Sequence, residues 1–235
     1  MTADQWAHAV RHRLGLGRLL PLGGPRDGAW ITEEAAGSVL RHAAGGLRGV
    51  RLEGLRIALA DPDQAYDSAV PAPPSALPPG PLRVTAEFAA TAAEALPTAA
   101  DRLREALTTA ATQRLGLTVA EVDLRVTALL DEDPEPAPAP EPSVPAAPEP
   151  SGGDEERVAA AALAVAGVVR LTRGLGRAVH IEERPGEGAL AHRHVRVEIA
   201  VRTDHRALEV ALEVRAVVSG ALPGHPTVAV LVTAA

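Results

Sequence analysis

Leu82-Arg83-Val84-Thr85-Ala86-Glu87-Phe88 alternates apolar with polar residues, and farther along Val195-Arg196-Val197-Glu198-Ile199 does the same. A period of two is the signature of a strand with one face in a core and one in water. The two runs align position by position, Val84 with Val195, Glu87 with Glu198 and Phe88 with Ile199. A second pair of runs, Leu124-Arg125-Val126-Thr127-Ala128 and Val230-Leu231-Val232-Thr233-Ala234, aligns in the same way. Together they predict an internal duplication.

Outward from the first strand, the flanking elements follow. Val50, Leu52, Leu55, Ile57 and Leu59 predict a strand before it, with a slip of phase at Gly54 that reads as a β-bulge. Ahead of that strand, Thr32 is placed to cap a helix whose first turn carries Glu33 and Glu34 and whose apolar stripe is Val39, Leu40, Ala43, Ala44 and Leu47. After Pro97-Thr98, Leu103, Leu107, Ala110 and Ala111 recur at helical spacing and Gly116 is the stop. Val122, Leu124, Val126 and Ala128 give a third strand. The same order returns with an alanine-rich helix from Asp154 to Val165, strands at Val179–Ile181 and Val195–Val201, a helix carrying Leu208, Leu212 and Val218, and a closing strand at Val228–Val232.

The expected fold class is α+β, two repeats of a small α-β-β-α-β module, each a three-stranded sheet with two helices on one face. The expected divisions are 1–27, an N-terminal helix and turn; 28–131, the first module; 132–153, a Pro/Glu-rich linker; and 154–235, the second module. Within the first module, residues 61–81 hold seven prolines and are read as a loop inserted in a hairpin. The linker alternates Pro and Glu, a composition that resists helix and sheet and favours an extended, solvated spacer.

Composition removes several function classes. The 235 residues contain no cysteine, which excludes a disulfide framework, a thiolate metal site and a cysteine nucleophile. The net charge of −7 disfavours a phosphate-backbone partner, so no nucleic acid is expected. No apolar stretch approaches the ~20 residues of a membrane span and residues 1–20 do not read as a signal peptide, so a cytoplasmic location without direct membrane insertion is expected. The absence of lysine beside abundant Ala, Gly, Pro and Arg suggests a high-GC, actinobacterial genome.

One stretch is more specific. Gly116-Leu117-Thr118-Val119-Ala120-Glu121-Val122-Asp123-Leu124-Arg125-Val126 resembles the closing motif of the alkaline shock protein family of envelope stress response proteins, in which a Gly-Leu helix end leads into a V-x-E-V-[N/D]-[V/L]-x-V strand. Ile31-Thr32-Glu33-Glu34 is similar to that family's opening, and Ala162 to Leu171 is similar to the start of its short actinobacterial members. The resemblance spans roughly 28–130 and 155–234. Thr91 to Pro97 and Thr203-Asp204 depart from the family's strand–helix junction, and Thr227-Val228-Ala229-Val230 stands where the second module would carry the Glu-Val-Asn signature. The resemblance implies a non-catalytic scaffold, a homo-oligomer or assembly with related proteins, and a small membrane-anchored partner. It implies no cofactor and transfers no catalytic residue.

Other constellations are weaker. His180, His192 and His194 are candidates for one imidazole cluster, with His180 opposite His194 if the flanking strands form a hairpin; three imidazoles on one face suit zinc or nickel. Glu182, Arg193 and Arg196 are read on that face too, which favours plain polar surface. His8 and His12 lack an accompanying HExxH glutamate. Gly15-Leu16-Gly17-Arg18 recurs as Gly174-Leu175-Gly176-Arg177, but neither follows a strand and opens a helix, so both read as turns rather than phosphate loops. No serine sits in a G-x-S-x-G elbow, and the paired carboxylates fall at helix starts or beside the linker. Catalysis is therefore not expected. Trp6, Val10 and Leu14 form one stripe of a helix over Thr2–Leu14 and are candidate interaction residues. A KH-like nucleic-acid-binding module is the alternative by element order, although it lacks a GxxG loop and stacking aromatics.

Overall fold

The structure, a computed structural model, describes residues 17–134, 145–147, 153–186 and 189–235. Trp6, Val10 and Leu14, with the helix expected around them, lie outside the described residues. A short hairpin of β1 (Leu19–Leu22) and β2 (Ala29–Thr32) leads into α1 (Glu33–Gly45) and β3 (Val50–Leu59). β4 (Leu82–Thr91), α2 (Leu96–Thr109) and β5 (Val119–Leu130) complete the first half. The second half runs α3 (Gly153–Leu163), β6 (Val168–Leu171), β7 (Val179–Gly186), β8 (Ala189–Val201), α4 (Ala207–Ala221) and β9 (Thr227–Ala234). The fold class is α+β.

Local chemistry accounts for the boundaries. Thr32 has extended backbone and its hydroxyl accepts the Ala35 N–H at 3.2 Å, with Glu33 and Glu34 in the turn it caps. α2 runs on into a π-helical turn over Ala110–Leu115, which ends at Gly116 with φ +91°. A Cβ there would lie 2.4 Å from the Leu208 Cβ of α4, so both the left-handed backbone and the close approach require glycine. The register of β3 against β4 shifts between Leu52 and Gly54, the expected bulge.

β4 is antiparallel to β3 and parallel to β5, giving a three-stranded sheet. The second sheet has six strands rather than three. β8 is antiparallel to both β6 and β7, which meet successive parts of it, and parallel to β9; β9 in turn pairs in parallel with β2, and β2 with β1. The hairpin over 19–32 thus straddles the division expected at residue 27 and joins the sheet of the other half. Ala29 pairs with Val230 and Ile31 with Val232.

One hydrophobic core runs through both halves, including Leu40, Phe88 and Leu107 of the first and Val197, Val214 and Val230 of the second. α1 touches β3 on one sheet and β9 and β2 on the other. The seam is also hydrogen-bonded: Arg206 Nε donates to the Thr112 carbonyl at 3.2 Å and an Arg114 guanidinium nitrogen to that of Thr203 at 2.9 Å. The six-stranded sheet is covered on its other face as well. Trp30, Leu19, Ala229 and Leu231 form a smaller apolar cluster closed by Val70 of the 61–81 insertion, and Trp30 Nε1 donates to the Leu77 carbonyl at 3.3 Å. The proline-rich insertion is therefore a cover for the sheet of the other half. Part of the segment expected to be a solvated spacer is paired too, since Ala147 N–H donates to the Leu171 carbonyl beside an Ala146–Thr172 bridge.

Candidate functional site

The outer face of β7 and β8 gathers the titratable residues singled out in the sequence. The hairpin forms, but its register pairs His180 with Arg196, Glu182 with His194 and Arg184 with His192. His180 and His194 are thus diagonal neighbours. The register is irregular between Arg184 and Gly186. Arg193 is not on this face. It points with the core side of β8 toward α3, where its guanidinium meets the Asp154 carboxylate.

Each histidine is held by its own surroundings. His194 is buried, with Nδ1 2.8 Å from the Thr227 hydroxyl of β9. Burial, helped by the Arg184 guanidinium, pushes its pKa down to about 4, so the ring is neutral at pH 7. His180 Nε2 lies 3.7 Å from a Glu182 oxygen, and Glu182 is itself bound to Arg184, which holds its carboxyl below the usual range. Among the described residues no three of His, Asp and Glu are grouped to hold a metal ion.

Two positions farther along the same face of β8 stands Glu198, with no solvent exposure. Its neighbour across the ladder is Leu231, which pairs in turn with Trp30, so the carboxyl borders the smaller apolar cluster. β6 and β7 are one strand interrupted by residues 172–178, and this interruption folds over Glu198. The Leu175 N–H donates to Glu198 Oε2 at 3.0 Å, and Arg196 Nε lies 3.7 Å from Oε1. Burial raises the Glu198 pKa to about 7, against the opposing pull of the Leu175 N–H, the Arg196 guanidinium and the Gly174 N–H. Gly174-Leu175-Gly176-Arg177 is therefore a turn whose N–H groups receive the protein's own carboxylate. Of the first copy of that tetrapeptide, Gly17 and Arg18 lie among the described residues, and Arg18 also meets a carboxylate. Arg18 N–H and Nε both point at Glu33 Oε2 at 3.4 Å, while Glu33 Oε1 accepts the Ile57 N–H of β3 at 3.2 Å.

In the sequence Glu198 stands out only by its alignment with Glu87. The signal that singles it out is a carboxylate on a strand whose neighbour is interrupted by a glycine-rich turn. Enclosed beneath Leu175, it can hold or release a proton near neutrality, and it has no open side for a substrate.

The other distinctive surface is β5. Its solvent face forms cross-strand ion pairs with β4: Arg83 with Glu121 and, at 3.5 Å, with Asp123, and Arg125 with Glu87. The Thr127 hydroxyl reaches across to Glu53, the bulged residue of β3, at 2.7 Å. Toward its end the strand outruns the core that the alternation implies, for Val126 is 39% and Leu129 64% exposed. No known protein-family model matches the chain, and no curated protein is a recognisable relative.

Proposed function

We propose that this chain is a non-catalytic scaffold of cell-envelope homeostasis, a tandem, divergent member of the alkaline shock family that works through protein partners. On this reading it is cytoplasmic and reaches the membrane through a small membrane-anchored protein or a related family member, with residues 132–153 as the joint between two copies of one unit. The observation that carries it is the recurrence of one topology with its irregularity in the same place. In each half a central strand, β4 or β8, is antiparallel to the strand before it and parallel to the one after its helix. In each the preceding strand is irregular beside the aligned glutamate: at Glu53, the bulged residue next to the Gly54–Glu87 pair, and at residues 172–178 over Glu198. Such agreement favours duplication of the unit that the resemblance names.

The surfaces suit protein contact better than nucleic acid. Arg83 and Arg125 are matched to carboxylates instead of forming a basic stripe, which weighs against a KH-like module. His194 is held by Thr227 and His180 lies 3.7 Å from Glu182, which weighs against the metal reading.

The test is affinity purification of the tagged chain from its own cells, with crosslinking and mass spectrometry. Recovery of a membrane-anchored or alkaline-shock-type partner supports the scaffold. Recovery of ribosomal proteins and RNA alone replaces it with the KH-like module, and stoichiometric zinc in the purified protein replaces it with the metal-binding one.

A further inference from the structure

β5 and β9 occupy the same place in the two halves, each the strand after the second helix and each parallel to the central strand. β9 has its outer edge covered by β2. β5 pairs only with β4 among the described residues, leaving the outer N–H and C=O groups of a 12-residue strand without a ladder. Edge strands are commonly protected by proline or by charges that repel a second strand. β7 carries Pro185 near its end. β5 has no proline, and its charges change sign within the strand.

That sign change is self-complementary. Register irregularities at both ends leave Glu121 to Val126 as a regular segment. In an antiparallel pair related by a twofold axis through Leu124, Asp123 faces Arg125 of the second copy and Arg125 faces its Asp123. Val122 and Val126 then face one another twice on the opposite side of the sheet. Moving the axis to Asp123 or Arg125 sets that residue against itself, and moving it to Val122 sets Glu121 against Asp123. Only the Leu124 register sets Asp123 and Arg125 each against its opposite with no like charges opposed. Both side chains remain exposed beside their partners Arg83 and Glu87 in the same chain, with 60% of Asp123 and 71% of Arg125 accessible.

We propose that β5 pairs antiparallel with β5 of a second copy of this chain, centred on Leu124, joining two three-stranded sheets into one of six strands. The dimer covers the edge in the first half as β2 covers it in the second. It places Val126, exposed in a single copy, beside Val122 of the other. This deepens the interaction reading by naming a partner and a surface; because its test needs only the purified chain, its failure is separate from failure to find an envelope partner.

The experiment is sedimentation equilibrium on the full chain. The wild type is expected to dimerise. Asp123→Arg alone places Arg against Arg at both pairs, and Arg125→Asp alone places Asp against Asp. Each should weaken the dimer on the order of tenfold to a hundredfold. Mixed in equal amounts, the two variants form opposite-charge pairs at both positions and should recover wild-type association, as should the double reversal within one chain. Because both side chains are exposed, circular dichroism of each variant should match the wild type. A wild type that stays monomeric overturns the proposal, as do single reversals that leave the dimer intact or a mixture that fails to recombine.

Discussion

Replacing Glu198 by Gln should change the pH dependence of stability more than stability itself. The carboxyl is enclosed by the 172–178 turn and borders Leu231, and its pKa rises from an ordinary 4.5 to about 7. The folded chain therefore holds this proton more tightly than the unfolded chain. The resulting stability is fully present below about pH 4.5 and is lost as pH rises through 7. With each tenfold change in proton affinity worth about 1.4 kcal/mol, the loss across that window is about 3 kcal/mol. The opposing N–H groups of Leu175 and Gly174 and the Arg196 guanidinium are already included in that figure. Gln keeps the shape and an acceptor for Leu175 but does not titrate. Urea unfolding of both proteins from pH 4.5 to 8.5 should give curves that diverge, the variant gaining on the wild type by about 2–3 kcal/mol at the alkaline end. A constant offset at low pH is compatible with a changed hydrogen bond. Parallel curves at all pH values would refute the enclosed-carboxyl argument.

His194 acts with the opposite sign. Its pKa is lowered from 6.5 to about 4, so stability is lost as pH falls between those values, and His194→Gln should flatten the acid limb by up to about 2 kcal/mol in the same titration. Gly116→Ala should destabilise by about 2–4 kcal/mol, because it strains a φ of +91° and drives a methyl into Leu208; a thermal melt reads it directly. Trp30→Ala should cost about 3–5 kcal/mol and release the 61–81 insertion, seen as faster amide exchange around Val70 and Leu77, whereas exchange in α2 should change little.

The local elements were readable because they obey simple periods. Leu82, Val84, Ala86 and Phe88 are all buried on one side of β4, and Leu103, Leu107, Ala110 and Ala111 on one side of the helical run that ends at Gly116. The β1–β2 hairpin was not readable. Its strands are four residues long and buried on both faces, so they show no alternation, and their partner is remote in sequence. The same remoteness hid the role of the 61–81 insertion, whose prolines give no indication that Val70 and Leu77 meet Trp30. At the site, composition placed His180, His192 and His194 on one hairpin, but a shift of two residues in register decides whether two imidazoles face each other. Alternation along each strand does not fix that shift. Glu198 escaped notice because burial of a strand carboxylate is decided by the loop that folds over it.

The pairing of β2 with β9 has a consequence for how the chain acquires its structure. Ala29 and Ile31 enter the core beside Val230 and Val232, roughly 200 residues later in synthesis. A nascent chain leaves the ribosome with its first half complete in sequence but with an edge of its N-terminal hairpin unmatched until β9 emerges. The β1–β2 hairpin cannot reach its final state ahead of β9, and a chain that ends before residue 227 leaves β2 and β8 each with an unpaired edge. The two halves, sharing one core and one sheet, are in this way bound into one cooperative folding event.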